Sequence, residues 1–228
     1  MAHVINADNG IVSGTPGLKY SADSTSILQF QNGGVNSLQV DASQYVSATV
    51  NGLGKGIMPA EQFYRLNTAV VGTTATIGQN IFGVGVTLVG STQYQFEALY
   101  LLSKAAGATP HTISLGFTGT SVVTNIAYFN DLKESITSFS VITTSTDHIA
   151  AVIQTSTYAV MTPSIASAAY YFVDYIKGTV SVASTGTFFP QYTLSANPGG
   201  AYTTAIGSYF KISPLASSGT NVSIGTWA

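Results

Sequence analysis

Apolar and polar residues alternate with a period of two along most of this chain. In TQYQFEALYLLSK (Thr92–Lys104), Tyr94, Phe96, Ala98, Tyr100 and Leu102 fall on one face of an extended strand, and Gln93, Gln95 and Glu97 on the other. HTISLGF repeats the pattern, with Ile113, Leu115 and Phe117 inward and Thr112, Ser114 and Gly116 outward. The turn residues AAGATP stand between the two segments, which together predict a long antiparallel pair. In AAYYFVDY, Tyr171, Val173 and Tyr175 share one face, and Tyr170, Phe172 and Asp174 share the other. One face suits a core and the other a subunit interface, where tyrosine is favoured.

Further strands are predicted in AEQFYRLN, QNIFGVGVTL, VVTNIAYF, FSVITT, IAAVIQTSTYAVMT, ASAAYYFVDYIKGTVSVAS, GTFFPQYTLSA, SYFKISPL and NVSIGTWA. Gly83 and Gly85 in strand context mark a bulge or a close backbone approach. NPGGAY (Asn197–Tyr202) reads as a turn, and NDLKESI (Asn130–Ile136) is the one charged stretch with local helical character. About ten closely spaced strands without a useful helical period predict an all-β, antiparallel sandwich or jelly roll.

The first 56 residues differ. ILQFQ and SLQVDASQYVSATV are short strand-like pieces, with Asn32-Gly33-Gly34 as a tight turn between Phe30 and Val35. Two such pieces cannot close a core alone and need identical neighbours or another surface. NGLGKG (Asn51–Gly56) reads as a linker. The expected organisation is an extended N-terminal attachment and trimerisation arm over 1–56 and a β domain over 57–228. Ile11, Leu18, Ile27, Leu28 and Phe30 are the arm residues expected to meet other chains.

Composition narrows the function. Charged residues are 7 % of the chain, against roughly 25 % in an average soluble domain. The surface must therefore be Ser, Thr, Gly, Asn and Gln, which suits burial against other protein. Seven basic and nine acidic residues without a basic block argue against nucleic-acid binding. The chain has no cysteine, which removes disulfides, thiolate zinc ligands and a thiol nucleophile. No export signal or membrane-spanning run stands out, so membrane insertion is not expected and folding in a cytoplasm is.

Catalytic patterns are sparse. His3, His111 and His148 lie in no metal-ligating spacing, and each reads as a turn or surface histidine. Glu61, Glu97, Asp131, Glu134 and Asp174 are carboxylates that a glycosidase could use, but they read as surface charges or structural ion pairs with Arg65, Lys104 or Lys177. GLGKG departs from the phosphate-loop pattern, and Asn221–Ser223 is a short glycosylation-type triplet. No enzyme activity, cofactor or metal is expected. Tyr170, Tyr171, Tyr175 and Tyr202 are the aromatics expected at a subunit interface, with a glycan-facing role as the alternative.

One resemblance adds to this reading. Gly17-Leu18-Lys19, Ala22-Asp23-Ser24-Thr25, Leu28 and Gln29, followed by Leu38, Asp41, Ser43-Gln44 and Val46, resemble a segment of tail-fibre and related virion proteins of tailed bacteriophages. FYRLN, IFGVGVTL, YQFEALYLLSK, HTISLGF and the stretch from Ile176 to Leu215 are similar to a β domain of virion proteins of that kind. The resemblance implies a homotrimeric virion component with a TNF/C1q-type jelly roll, and no catalytic residue is carried over. The expected function is a non-enzymatic fibre- or spike-type surface protein that meets the host. Its partners would be its own copies, other capsid or tail proteins and a host-surface glycan, and its place the virion, assembled in the host cytoplasm. The short shaft-like part favours a capsid decoration (cement) protein as the alternative.

Overall fold

The computed structural model describes residues 28–32, 35–40, 46–48, 61–140, 148–153, 158–160, 162 and 164–219. The chain divides into two units, Met1–Asn51 and Gly52–Ala228. Ile11, Leu18 and Ile27 of the expected arm, the NGLGKG linker and the NVSIGTWA segment lie outside the described residues.

In the first unit, β1 (Leu28–Asn32), β2 (Val35–Val40) and β3 (Val46–Ala48) form an antiparallel three-stranded sheet. Asn32 pairs with Val35, so the hairpin turns at Gly33-Gly34 as the sequence predicts. Leu28 pairs with Val40 and Phe30 with Leu38, and Val40 and Leu38 pair in turn with Val46 and Ala48.

The second unit is all strand among its described residues, and every pairing is antiparallel. The larger sheet contains β4 (Gln62–Arg65), β5 (Val70–Val71), β8 (Thr92–Lys104), β10 (Val122–Ser135), β11 (His148–Ile153), β13 (Tyr170–Ser184), β15 (Thr203–Thr204) and β16 (Tyr209–Ser217). Its order is β11-β10-β13-β8-β15-β5, with β16 joining β8 to β4. The smaller sheet contains β6 (Gln79–Asn80), β7 (Val86–Leu88), β9 (Ile113–Thr118), β12 (Ala159–Val160) and β14 (Gly186–Leu194). Its order is β12-β9-β14-β6, and β7 also pairs with β14.

The core lies between the sheets. Tyr94, Phe96, Ala98, Tyr100 and Leu102 of β8 are all buried, as their alternation predicts, and so are Ile113, Leu115 and Phe117 of β9. The Phe96 ring meets Phe117 at 5.2 Å, and Phe117 stacks on Phe188 at 4.8 Å. Each such ring stabilises the fold by about 1.5–3 kcal/mol through burial.

Three sequence expectations are corrected. First, β8 and β9 do not pair. Alternation identifies the buried face of a strand but not its neighbour, and the chain crosses from one sheet to the other after Lys104. β8 pairs instead with β13 over thirteen consecutive residues, from Lys104↔Tyr170 to Thr92↔Val182. Secondly, NDLKESI is not helical. Asn130 to Ser135 end β10, with Asn130 and Leu132 buried and Asp131 and Lys133 on the outer face, so tertiary pairing overrides the local preference. Thirdly, two expected single strands divide. IAAVIQTSTYAVMT supplies β11 to the larger sheet and β12 to the smaller, and QNIFGVGVTL becomes β6 and β7 around Gly83, which has φ +71°. Pro190 sits where β14 changes partner from β7 to β6, a position that needs no N–H.

The crossing after β8 is held by Lys104, which is 3 % exposed and, among the described residues, has no salt bridge to a carboxylate, unlike the expected ion pair. Its Nζ donates to the carbonyls of Ala106 (3.2 Å), Gly107 (2.7 Å), Ser167 (2.7 Å) and Ala168 (3.2 Å). One ammonium thus joins the end of β8 to the segment entering β13. Lys104→Met keeps most of the stem and leaves these carbonyls without their donor. The variant is expected to lose about 2–4 kcal/mol of stability by urea denaturation; a loss below 0.5 kcal/mol, the size of an ordinary surface substitution, would show that water replaces the ammonium.

Candidate functional site

Two buried polar clusters and two contrasting sheet faces are the features with chemical potential. The first cluster lies on the inner face of the larger sheet. Asp174 is fully buried, directly opposite Tyr100 in the β8–β13 register, with Asn130 and Tyr128 on β10 nearby. Asn130 Nδ2 donates to Asp174 Oδ1. Among the described residues, Asp174 Oδ2, Asn130 Oδ1 and the hydroxyls of Tyr100 and Tyr128 are buried without a hydrogen-bond partner. Burial, and secondarily the charge of Asp131, pushes the Asp174 carboxyl well above its usual range, against the opposing hydrogen bond from Asn130. Burial and the nearby Asp174 push Tyr128 up to about 12, and Tyr100 rises for the same reasons. The expectation of Asp174 as a surface charge or ion-pair member is therefore corrected: it is a core residue on the alternation of β13.

The second cluster joins the two sheets. His111 is 2 % exposed, not at a surface turn as expected. Its Nδ1 donates to the Thr109 carbonyl at 2.7 Å, so Nε2 accepts from the Tyr202 hydroxyl at 2.7 Å. Burial depresses the imidazole pKa, and the neutral ring fits this pattern. Tyr192 donates to Gln79 Oε1 at 3.1 Å, and Tyr170 donates to Glu134. Burial raises the phenol pKa of Tyr170, Tyr192 and Tyr202. Tyr170 and Tyr202 are 2 % and 1 % exposed, so neither faces solvent, a glycan or a subunit from this chain. The glycan-facing alternative thus loses Tyr202, which turns into the core; the NPGGAY turn itself is present, with Gly199 N donating to Asn197 Oδ1 at 2.9 Å.

The outer face of the larger sheet is mixed. Register places Arg65, Tyr209, Leu99, Tyr175 and Asp131 in one cross-strand row, and Phe63, Lys211, Glu97, Lys177 and Phe129 in the next. Tyr209 donates to Glu97 Oε1 at 3.1 Å, and Lys211 pairs with Glu61 at 3.3 Å. Phe63 and Phe129, on either side of Lys211, Glu97 and Lys177 in the second row, are 56 % and 43 % exposed. Tyr171 and Tyr175 are half-buried on this face, whereas the sequence grouped them with Tyr170 and Tyr202.

At the β4 and β7 edges the sandwich opens into an apolar cleft of about 180 Å³ that includes Tyr64, Phe82, Phe188 and Phe210. The smaller sheet has a different outer face, since none of its five strands contains Asp, Glu, Lys, Arg or His. Alternation gives no weight to missing charge, so sequence reading passed over this face. Among the described residues no group of three or more His, Cys, Asp or Glu is placed to hold a metal ion. The chain matches no protein-family model, and no curated protein matches it.

Two predictions follow from the buried groups. An acid whose folded pKa is raised contributes stability that is fully present below the ordinary carboxylate pKa and lost as pH rises through the folded value. Asp174→Asn removes that titration. The stability of the variant relative to the parent should climb from about pH 4 upward, by up to about 1.4 kcal/mol per pH unit; parallel stability curves for the two proteins would refute an uncharged, buried Asp174. Tyr202→Phe leaves His111 Nε2 without its donor and should cost about 1–3 kcal/mol. The same change at half-exposed Tyr175 should cost less than about 0.5 kcal/mol in the same denaturation assay.

Proposed function

We propose that this chain is a non-enzymatic structural protein of a tailed-phage virion, a self-associating fibre- or spike-type surface protein that contributes to attachment to the host. The observation that carries the reading is the outer face of the larger sheet. In one copy it leaves Phe63 and Phe129 exposed on either side of a run that alternates Lys211, Glu97 and Lys177. A face with two exposed aromatic rings and compensated charge suits burial by another copy better than lasting contact with water. A homotrimer covers such a face by repeating one contact between copies. The tail-fibre-like residue pattern from Gly17 to Val46 supports the virion setting.

Sedimentation equilibrium tests the assembly, with a mass of three chains as the expected result. Phe63→Glu with Phe129→Glu places carboxylates opposite Lys211 and Lys177, so the sheet retains favourable pairs. The double variant should remain folded and sediment as a monomer. A parent protein that is monomeric at micromolar concentration overturns the trimer. Copy number per particle decides the setting: a few trimers fit a fibre or spike, and hundreds of copies turn the reading to capsid decoration.

A further inference from the structure

The charge-free face of the smaller sheet carries one continuous polar band. Gln191 of β14 pairs with Gly116 of β9 on one side and with Asn80 of β6 on the other. Tyr158 precedes β12, which pairs along the free side of β9. Its ring crosses Gly116, and its hydroxyl donates to Gln191 Oε1 at 2.5 Å. Gln191 Nε2 then donates to Asn80 Oδ1 at 2.5 Å. The band thus runs from the residue before β12 across β9 and β14 to β6 with its donors pointing one way, and among the described residues Asn80 Nδ2 ends it without a hydrogen bond.

Two glycines make the arrangement possible. A Cβ at Gly116 would lie 2.7 Å from the Tyr158 ring, and a Cβ at Gly78 would lie 2.5 Å from its hydroxyl and 2.6 Å from Gln191 Oε1. The ring and amide therefore lie low on the sheet instead of standing away from it. Phe189, two residues from Gln191, has its ring over Gly85 in the same way, where a Cβ would be 2.6 Å from the ring. Tyr158, Gln191, Asn80 and Phe189 all remain partly exposed.

We propose that this band binds a neutral carbohydrate. The proposal rests on the attachment reading above and deepens it by naming the ligand class. A pyranose presents an apolar C–H face and a rim of hydroxyls. Tyr158 and Phe189 offer low-lying rings to the first, and the Asn80 and Gln191 amides offer donors and acceptors to the second. Thr118, opposite Phe189, and Ser114, opposite Thr193, add hydroxyls in the flanking rows. An anionic sugar would find no cation on these strands. A protein partner would call for an apolar centre, where this band presents an amide chain instead.

The test uses the full chain and three probes, maltohexaose, mannohexaose and oligogalacturonate, in saturation-transfer NMR and titration. Binding of at least one of the two neutral oligosaccharides is expected, with no binding of the galacturonate. Tyr158→Ala should weaken it at least tenfold. Gly116→Ala, which retains every contacting side chain but displaces the ring, should do the same, and Tyr175→Ala on the opposite sheet should leave it unchanged. Tyr158→Phe keeps the ring and removes only the hydroxyl, so an intermediate loss is expected from a variant with minimal effect on folding. The proposal is overturned if neither neutral probe binds at millimolar concentration, if the galacturonate binds in preference, or if Tyr158→Ala and Gly116→Ala bind like the parent. Sedimentation of the same samples separates the two readings. A trimer that binds neither neutral probe removes the carbohydrate site and leaves the assembly standing, whereas a monomer that binds one does the reverse.

Discussion

The pairing of β8 with β13 is the constraint on which the rest of the larger sheet depends. Thirteen consecutive residues are in register without a bulge. A side-chain period of two makes such a pair intolerant of slippage, because a shift of one residue would bring Gln93, Gln95 and Glu97 to the core and turn Tyr94, Phe96 and Tyr100 to the outside. The same register that buries the aromatic row sets Asp174 opposite Tyr100 within the core and Lys177 opposite Glu97 on the outer surface. Lys104 closes the pair at one end, where its ammonium gathers carbonyls from both neighbouring segments. The polar core residues and the outer charge row are thus consequences of one alignment.

That alignment explains which parts of the fold are legible in the sequence. The alternation in Thr92–Lys104 is strong enough to assign every apolar core residue of β8, and Tyr170-Phe172 against Tyr171-Val173-Tyr175 separates correctly into inner and outer faces. Alternation does not report which strand lies alongside, so β9 is misjudged as the partner of β8 although its buried residues are read correctly. Nor does it allow for polar residues on the apolar beat. Asp174, Asn130 and Lys104 all sit at buried positions of their strands, and residue type alone marks them as surface charge or turn. His111 is misread for a related reason: the residues that bury it, among them Tyr202, are remote in sequence and approach only once the sheets stack.

Charge is distributed unequally between the two layers. Glu97, Asp131, Lys133, Lys177 and Lys211 line the outer face of the larger sheet, while the five strands of the smaller sheet carry no charge. With so few charges in the chain, this placement has physical consequences. Opposite charges across neighbouring strands stabilise each other modestly. A charge-free face has no long-range steering and no electrostatic selectivity. Its selectivity has to come from contact, through ring faces and oriented amides.

The Tyr158–Gln191–Asn80 band illustrates what such contact selectivity requires. An exposed tyrosine on an ordinary strand would stand away from the sheet and sample several rotamers, and ordering it on binding would cost entropy. Here Gly116 leaves room for the ring to lie across its neighbours, and the Gln191 acceptor holds the hydroxyl. The ring is ordered before any ligand arrives, which lowers the entropic cost of using it. Neither glycine has an evident purpose in a linear reading, where each appears as an interruption of a strand or turn. Their meaning depends on a tyrosine more than forty residues from Gly116 and eighty from Gly78, brought over them by the pairing of β12 with β9 and of β6 with β14.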